Sequence, residues 1–243
     1  MIYDVQGNPL YIGRQGFPLS GVLGENLLIR HYGGNSASNI ATAYSNGLKA
    51  VEGDVRFTSD KYPIMNHDAS VGGLTISTHT LAELQAVATI YQLEDCLLDC
   101  KKYNLFLDVD FTKTYTTEQC GILAGLIKDY GMVGRSSIET FIDSSAGRIA
   151  NISHDFIQNI LGCRTTAAID ACDAFADKCA LIICTIPHDD ATQELVEYAH
   201  NKGYLAKIWT GGSDTVSIVE NYLDMGADQV LTNNIKPSDI TPS

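Results

Sequence analysis

From residue 26 onward the chain alternates short apolar, β-prone runs with longer segments whose apolar residues recur at three- and four-residue spacing. The strand candidates are "NLLIRH" (26–31), "AVEGDVRF" (50–57), "NLFLDVDF" (104–111), "SSIETFI" (136–142), "FIQNILG" (156–162), "ALIICTI" (180–186), "YLAKIW" (204–209) and "DQVLTN" (228–233). Between them Ile40, Tyr44 and Leu48 share one helical face, as do Leu81, Leu84, Val87 and Ala88. Further groups are Leu93, Leu97 and Leu98, then Cys120, Leu123, Leu126, Ile127 and Tyr130. Thr80 with Glu83 and Thr116 with Gln119 have the spacing of capping boxes, and Gly203 and Gly226 stand where helix C-terminal caps belong.

Eight strands alternating with helices at roughly 30 residues per unit predict an α/β protein, a (β/α)8 TIM barrel. A doubly wound open sheet is the competing architecture. Residues 1–25 fall outside the rhythm and are expected to form a short N-terminal extension to a single domain spanning 26–243.

Period two in a strand puts alternate residues on one face. Glu52 and Asp54 therefore point together, as do Asp108 and Asp110 on the third strand. In a barrel neither strand face is normally wet, so acids collect at the C-terminal mouth, where active sites form. Carboxylates converging there suit a hard divalent cation, Mg²⁺ or Ca²⁺. His31 and His67 each close a β-prone run near these acids, where a pair of imidazoles can exchange protons at neutral pH.

Composition narrows the partners. Sixteen basic against twenty-nine acidic side chains give a net charge of -13, which disfavours nucleic acid and anionic membrane surfaces. A small phosphorylated substrate held through a cation remains compatible with that field. The seven cysteines include no CxxC pair and are expected to be reduced and packed as small apolar residues, not to form a thiolate zinc site. No basic segment followed by an apolar run opens the chain, and no eighteen apolar residues are contiguous. The expectation is a soluble protein without a Sec signal or integral membrane association. It would be cytoplasmic, or associated with a virion or cell surface if "MIYDVQGNPLY" is a phage-type leading segment.

The stretch "LLIRHYGGNSASNIATAYSNGLKAVEGDVRFTSDKYPIMNHD" resembles the opening of the glycerophosphodiester phosphodiesterases, whose pattern runs HRG, PENT, an acid-x-acid strand and a closing HD. "TLAEL" (80–84), "LEDCLLDCKKYNLFLDVD", "IWT" (208–210) and "MGADQVLTNN" (225–234) continue the resemblance in order. It implies metal-dependent hydrolysis of a small or polymeric glycerophosphodiester, such as a glycerol-phosphate teichoic acid, to glycerol 3-phosphate and an alcohol. It further implies His31 and His67 as the acid/base pair and Glu52, Asp54 and Asp108 as metal ligands, Asp108 standing where the family usually has Glu. Asn39, Arg56, Asp110, Lys207 and Trp209 are the implied substrate contacts, with a core position for Trp209 as the alternative.

Departures accompany the match. Tyr32 replaces the Arg after the first His, Ser38 the Glu of PENT, and Asp110 the Lys two residues beyond the third acid. Lys207, Arg56, Lys113 and Arg164 are the cations left to compensate. The brief segment between His67 and Thr80 predicts an open mouth. The lost cations motivate one rival, a barrel that binds glycerophosphate polymer or a partner protein without turnover. The other rival is a phosphodiesterase of phospholipase D or C type.

Overall fold

In the computed structural model the described residues are 27–142, 144–212 and 214–241, together with three short strands, Ile2–Tyr3, Pro9–Ile12 and Pro18–Leu19. Those three pair antiparallel, Ile2 opposite Leu10 and Tyr11 opposite Leu19. The rest of the expected N-terminal extension lies outside the described residues.

All eight expected runs form strands: β1 (Leu27–Arg30), β2 (Ala50–Phe57), β3 (Phe106–Asp110), β4 (Ser136–Phe141), β5 (Ile157–Leu161), β6 (Leu181–Pro187), β7 (Leu205–Trp209) and β8 (Gln229–Thr232). Each pairs in parallel with its neighbours. β8 returns to β1 and β1 pairs with β2, so the sheet closes into the TIM barrel and the open sheet is excluded. β2 outruns the barrel and pairs antiparallel with Pro63–Met65, which leads into His67.

The helices are α1 (Ala37–Ser45), α2 (Leu81–Gln85), α3 (Leu93–Tyr103), α4 (Thr117–Asp129), α5 (Ser144–Ile152), α6 (Thr166–Ala171), α7 (Gln193–Asn201) and α8 (Val216–Asp224). Both expected capping boxes form, Thr80 with Glu83 and Thr116 with Gln119, satisfying N–H groups that the first turn leaves unpaired. Gly203 and Gly226 take the left-handed conformation expected of C-terminal caps. The period over residues 81–88 extends past the helix: α2 stops at Gln85 and Val87 is exposed.

Strand alternation sorts the core into two shells. Leu27, Ile29, Ala50, Phe106, Ile157 and Ile183 fill the floor of the barrel interior. Residues of opposite parity, such as Val51, Val55, Leu107, Val109 and Ile160, pack outward against the helices. All seven cysteines are buried, as small apolar residues would be. Cys163, Cys172 and Cys184 bring their sulfurs within 4.8 Å of one another. Two of these thiols donate to carbonyls of their own turns, Cys163 to Ile160 at 3.3 Å and Cys172 to Ala168 at 3.6 Å. Among the described residues no helix is long and apolar enough to cross a membrane.

Candidate active site

Above the apolar floor the barrel interior turns polar. Lys207 on β7 is fully buried, and its ammonium donates to Asp108 Oδ2 and to Glu139 Oε2, the latter at 2.5 Å. Ser137 donates to Asp108 Oδ1 at 2.5 Å, and the Asn159 amide bridges Asp108 Oδ2 and Glu139 Oε2 at 3.0 Å each. Burial alone would raise the Asp108 carboxyl, but Lys207 and these donors outweigh it and hold the group below its ordinary range. For Glu139 burial dominates and pushes the group up to about 8, with Asp108 and Asp110 adding to the rise and Lys207 opposing it. Asp108 is thus the carboxylate that carries full charge opposite Lys207.

The next layer lies at the C-terminal mouth, around a cavity of ≈ 340 Å³ lined by His31, Glu52, Asp54, Asp110 and Trp209 among others. Oxygens of Glu52, Asp54 and Asp110 lie within 4.8 Å of one another. That spacing fits one hard cation with metal–oxygen bonds of about 2.0–2.6 Å. Burial pushes Glu52 well up, reinforced by Asp54 and Glu139. Burial likewise raises Asp54, against the Asn35 hydrogen bond and with Asp110 adding to the rise. Crowded carboxyls of this kind are what a divalent cation relieves, so the donor set fits the expected metal.

A close backbone approach positions the cluster. A Cβ on Gly34 would stand 3.2 Å from Gly53 Cα, and one on Gly53 would stand 3.0 Å from Gly34 Cα and 2.7 Å from Met65 Cε. The two glycines let the turn after β1 lie directly on β2. From there the Tyr32 N–H donates to Glu52 Oε2 at 2.8 Å, with Tyr32 held at φ 56. Asn35 clasps Asp54, its amide donating to Oδ2 at 2.7 Å and its carbonyl accepting from the Asp54 N–H at 2.8 Å.

His31 follows β1, and its Nδ1 lies 2.6 Å from Asn233 Oδ1. An amide oxygen can only accept, so Nδ1 carries the proton and the Nε2 lone pair faces Glu52 Oε2 at 3.9 Å. Burial lowers the His31 pKa, with the Asn233 bond opposing, and so favours neutral imidazole. Asp214 fixes this corner by accepting from the Asn234 N–H and the Thr232 hydroxyl, each at 3.0 Å. His67 is exposed across the cavity, its Nδ1 2.9 Å from Asp68 Oδ1. The Tyr32 ring lies between the histidines, stacked on His31 at 3.7 Å and edge-on to His67 at 4.9 Å. Trp209 is 38% exposed at the end of β7, 6.5 Å from the His31 ring, so it belongs to the mouth and not to the core.

The structure therefore brings His31, His67, Glu52, Asp54, Asp110 and Trp209 to one cavity, and gives five expected site residues, Asp108, Asp110, Lys207, Arg56 and Asn39, other surroundings than expected. Asp108 lies a layer deeper than its assignment as a metal ligand requires, claimed by Lys207, Ser137 and Asn159; Asp is one methylene shorter than the family's Glu. Asp110, expected to contact substrate, occupies the cluster instead. Lys207 is enclosed between two carboxylates and does not line the cavity. The Arg56 guanidinium is held by the carbonyls of Asn66 and His67, Nε donating at 3.1 and 3.0 Å, and so supports the His67 loop. Asn39 buttresses the turn after β1 through the Tyr32 carbonyl at 3.1 Å.

Asn35, Glu139 and Asn233 were not singled out from sequence. The alternation applied to β2 and β3 would have placed Glu139 inward with Ser137. The contacts of Asn35 and Asn233 are tertiary and leave no local signal.

Residues 25–113 match the model of the glycerophosphoryl diester phosphodiesterase family, a span that includes His31, the carboxylate cluster and His67. No protein among the curated sequences matches the chain. The fold is similar to a glycerophosphodiester phosphodiesterase from Parabacteroides distasonis, with 19% identity, TM-score 0.73, and coverage of 86% of this chain and 94% of that one. It is also similar to an Oleispira antarctica phosphodiesterase solved with the product sn-glycerol-3-phosphate, with 17% identity, TM-score 0.72, and coverage of 85% and 92%. A third likeness is the glycerophosphodiester phosphodiesterase of Agrobacterium tumefaciens, with 15% identity, TM-score 0.71, and coverage of 86% and 96%. At these identities the solved structures establish the barrel.

Proposed function

We propose, from the match of residues 25–113 to the glycerophosphoryl diester phosphodiesterase family, that the chain acts as a member of that family and hydrolyses glycerophosphodiesters to glycerol 3-phosphate and an alcohol. The observation that carries this reading is the convergence of three carboxylates with the free Nε2 of His31 in one cavity.

In this account Glu52, Asp54 and Asp110 would hold a divalent cation, whose positive charge, when bound, favours the phosphate and an ionised hydroxyl beside it. His31, fixed by Asn233 as the Nδ1–H tautomer, takes the proton from the substrate hydroxyl next to the phosphate. That hydroxyl oxygen forms a bond to phosphorus as the bond to the alcohol oxygen breaks. His67, oriented by Asp68, gives its proton to the departing alkoxide. Water then opens the cyclic phosphate with the proton transfers reversed. Each histidine is expected to contribute a rate factor of about 10²–10⁴. Trp209 offers an apolar face to the glycerol carbons.

Lys113 and Arg164 are the cations other than histidine that line the cavity. Arg164 is paired with Asp190, so among the described residues Lys113 is the lining lysine left without a carboxylate partner. Residues 1–25 remain an appendage to the catalytic barrel in this reading, and the start of the family match at residue 25 supports that division.

The test is release of glycerol 3-phosphate from a panel of glycerophosphodiesters with Mg²⁺, Ca²⁺ or chelator, for wild type, His31→Ala and His67→Ala. Metal-dependent release lost in both variants supports the reading. A second reading, binding without turnover, is favoured by the acids and Tyr32 standing where the family carries cations. It predicts substrate binding with no release under any of these conditions.

A further inference from the structure

Beside the mouth lies a second cavity of ≈ 200 Å³, lined by Arg56, Ser77, Lys113, Thr114, Tyr115 and Gln119 among others. Its charged lining residues are both cations, in a protein with twenty-nine acidic and sixteen basic side chains. Among the described residues neither Arg56 nor Lys113 has a carboxylate within ion-pair distance, and Arg56 is held only by backbone carbonyls. Arg56 also acts through space on Asp54, lowering its carboxyl, but both charged side chains that line this cavity are cations, and a cavity so lined attracts an anion.

The position is as informative as the charge. Lys113 lines both cavities, so the two adjoin. On β2, Glu52, Asp54 and Arg56 share one face, which puts Arg56 about 7 Å further along the strand than Asp54. That is comparable to the spacing of successive phosphates joined through a three-carbon polyol. The short segment between His67 and Thr80 supplies Ala69, Ile76 and Ser77 to the wall and leaves the space unfilled.

We propose that this cavity is an anion subsite, which receives the second phosphate of an oligomeric polyol phosphodiester while the first lies at the Glu52–Asp54–Asp110 mouth. The inference rests on the hydrolytic reading above and names its substrate class.

The test compares kcat/KM for glycerophosphoglycerol, which has one phosphate, with the same compound extended by a further glycerol phosphate, for wild type, Gln119→Glu and Ser77→Asp. Gln119→Glu keeps the acceptor of the α4 capping box and adds a negative charge to the subsite. Wild type should prefer the two-phosphate compound by about tenfold at low salt, the scale of one charge-assisted contact, and the preference should shrink as salt rises. Both variants should bring the ratio close to one while leaving the one-phosphate substrate unaffected. Equal use of both substrates by wild type, or a fall in both alike in the variants, would overturn the proposal.

If neither compound is hydrolysed, the catalytic reading has failed and calorimetric binding of the two-phosphate compound decides the subsite. About tenfold weaker binding to Gln119→Glu supports it, and equal binding refutes it. Inorganic phosphate bound by wild type as tightly as the two-phosphate compound would reassign the cavity to free phosphate and end the proposal.

Discussion

Asp108 and Asp110 stand two residues apart on one face of β3, yet their neighbours give them different work. Asp108 neutralises the buried Lys207, while Asp110 joins Glu52 and Asp54 at the mouth. Asp108→Asn should therefore cost about 3 kcal/mol of folding stability, because Lys207 loses a buried partner, with cation affinity retained. Asp110→Asn should do the reverse, weakening cation binding about tenfold or more with little change in the melting temperature. Calorimetry with Mg²⁺ or Ca²⁺ and thermal unfolding of both variants separate the two roles. Sequence showed that both aspartates face inward but not which of them a lysine 99 positions away would claim. Asn233 shows the same limit: its hold on His31 spans 202 positions. Asn233→Ala should free the tautomer and lower kcat about tenfold with KM little changed, which steady-state kinetics would show.

The turn between β1 and α1 is the element on which the site depends. It lies on β2 because Gly34 and Gly53 lack side chains, and this brings the Tyr32 N–H and the Asn35 amide onto Glu52 and Asp54. Gly53→Ala should lift the turn, costing about 1–3 kcal/mol by overpacking and loosening both carboxylates. Unfolding by urea together with cation titration would show the paired loss. Helix α2 carries a pH-dependent cap. Thr80 bonds lower the Glu83 carboxyl below its ordinary 4.5, so the stabilisation is present above that value and is lost as pH falls through the lowered one. Protection of α2 amides, corrected for intrinsic exchange, should fall over that range in wild type and stay level in Glu83→Gln. Strand and cap positions were readable because alternation, capping boxes and C-terminal glycines are local rules. The end of α2 at Gln85 was not, since Val87 keeps the helical period while lying exposed outside the helix.

At the scale of the whole molecule, a net charge of -13 and a mouth crowded with carboxyls repel a phosphate substrate. On the proposed reading, a cation at Glu52, Asp54 and Asp110, with Lys113 beside it, would reconcile that field with phosphodiester chemistry. The most direct measurement is glycerol 3-phosphate release from glycerophosphoglycerol by wild type, first with Mg²⁺ or Ca²⁺ and then after chelation and re-addition of the ion. The account predicts release that stops on chelation, returns with the ion and is absent in His31→Ala. Release that persists through chelation, or none from folded protein with the ion bound, would contradict it.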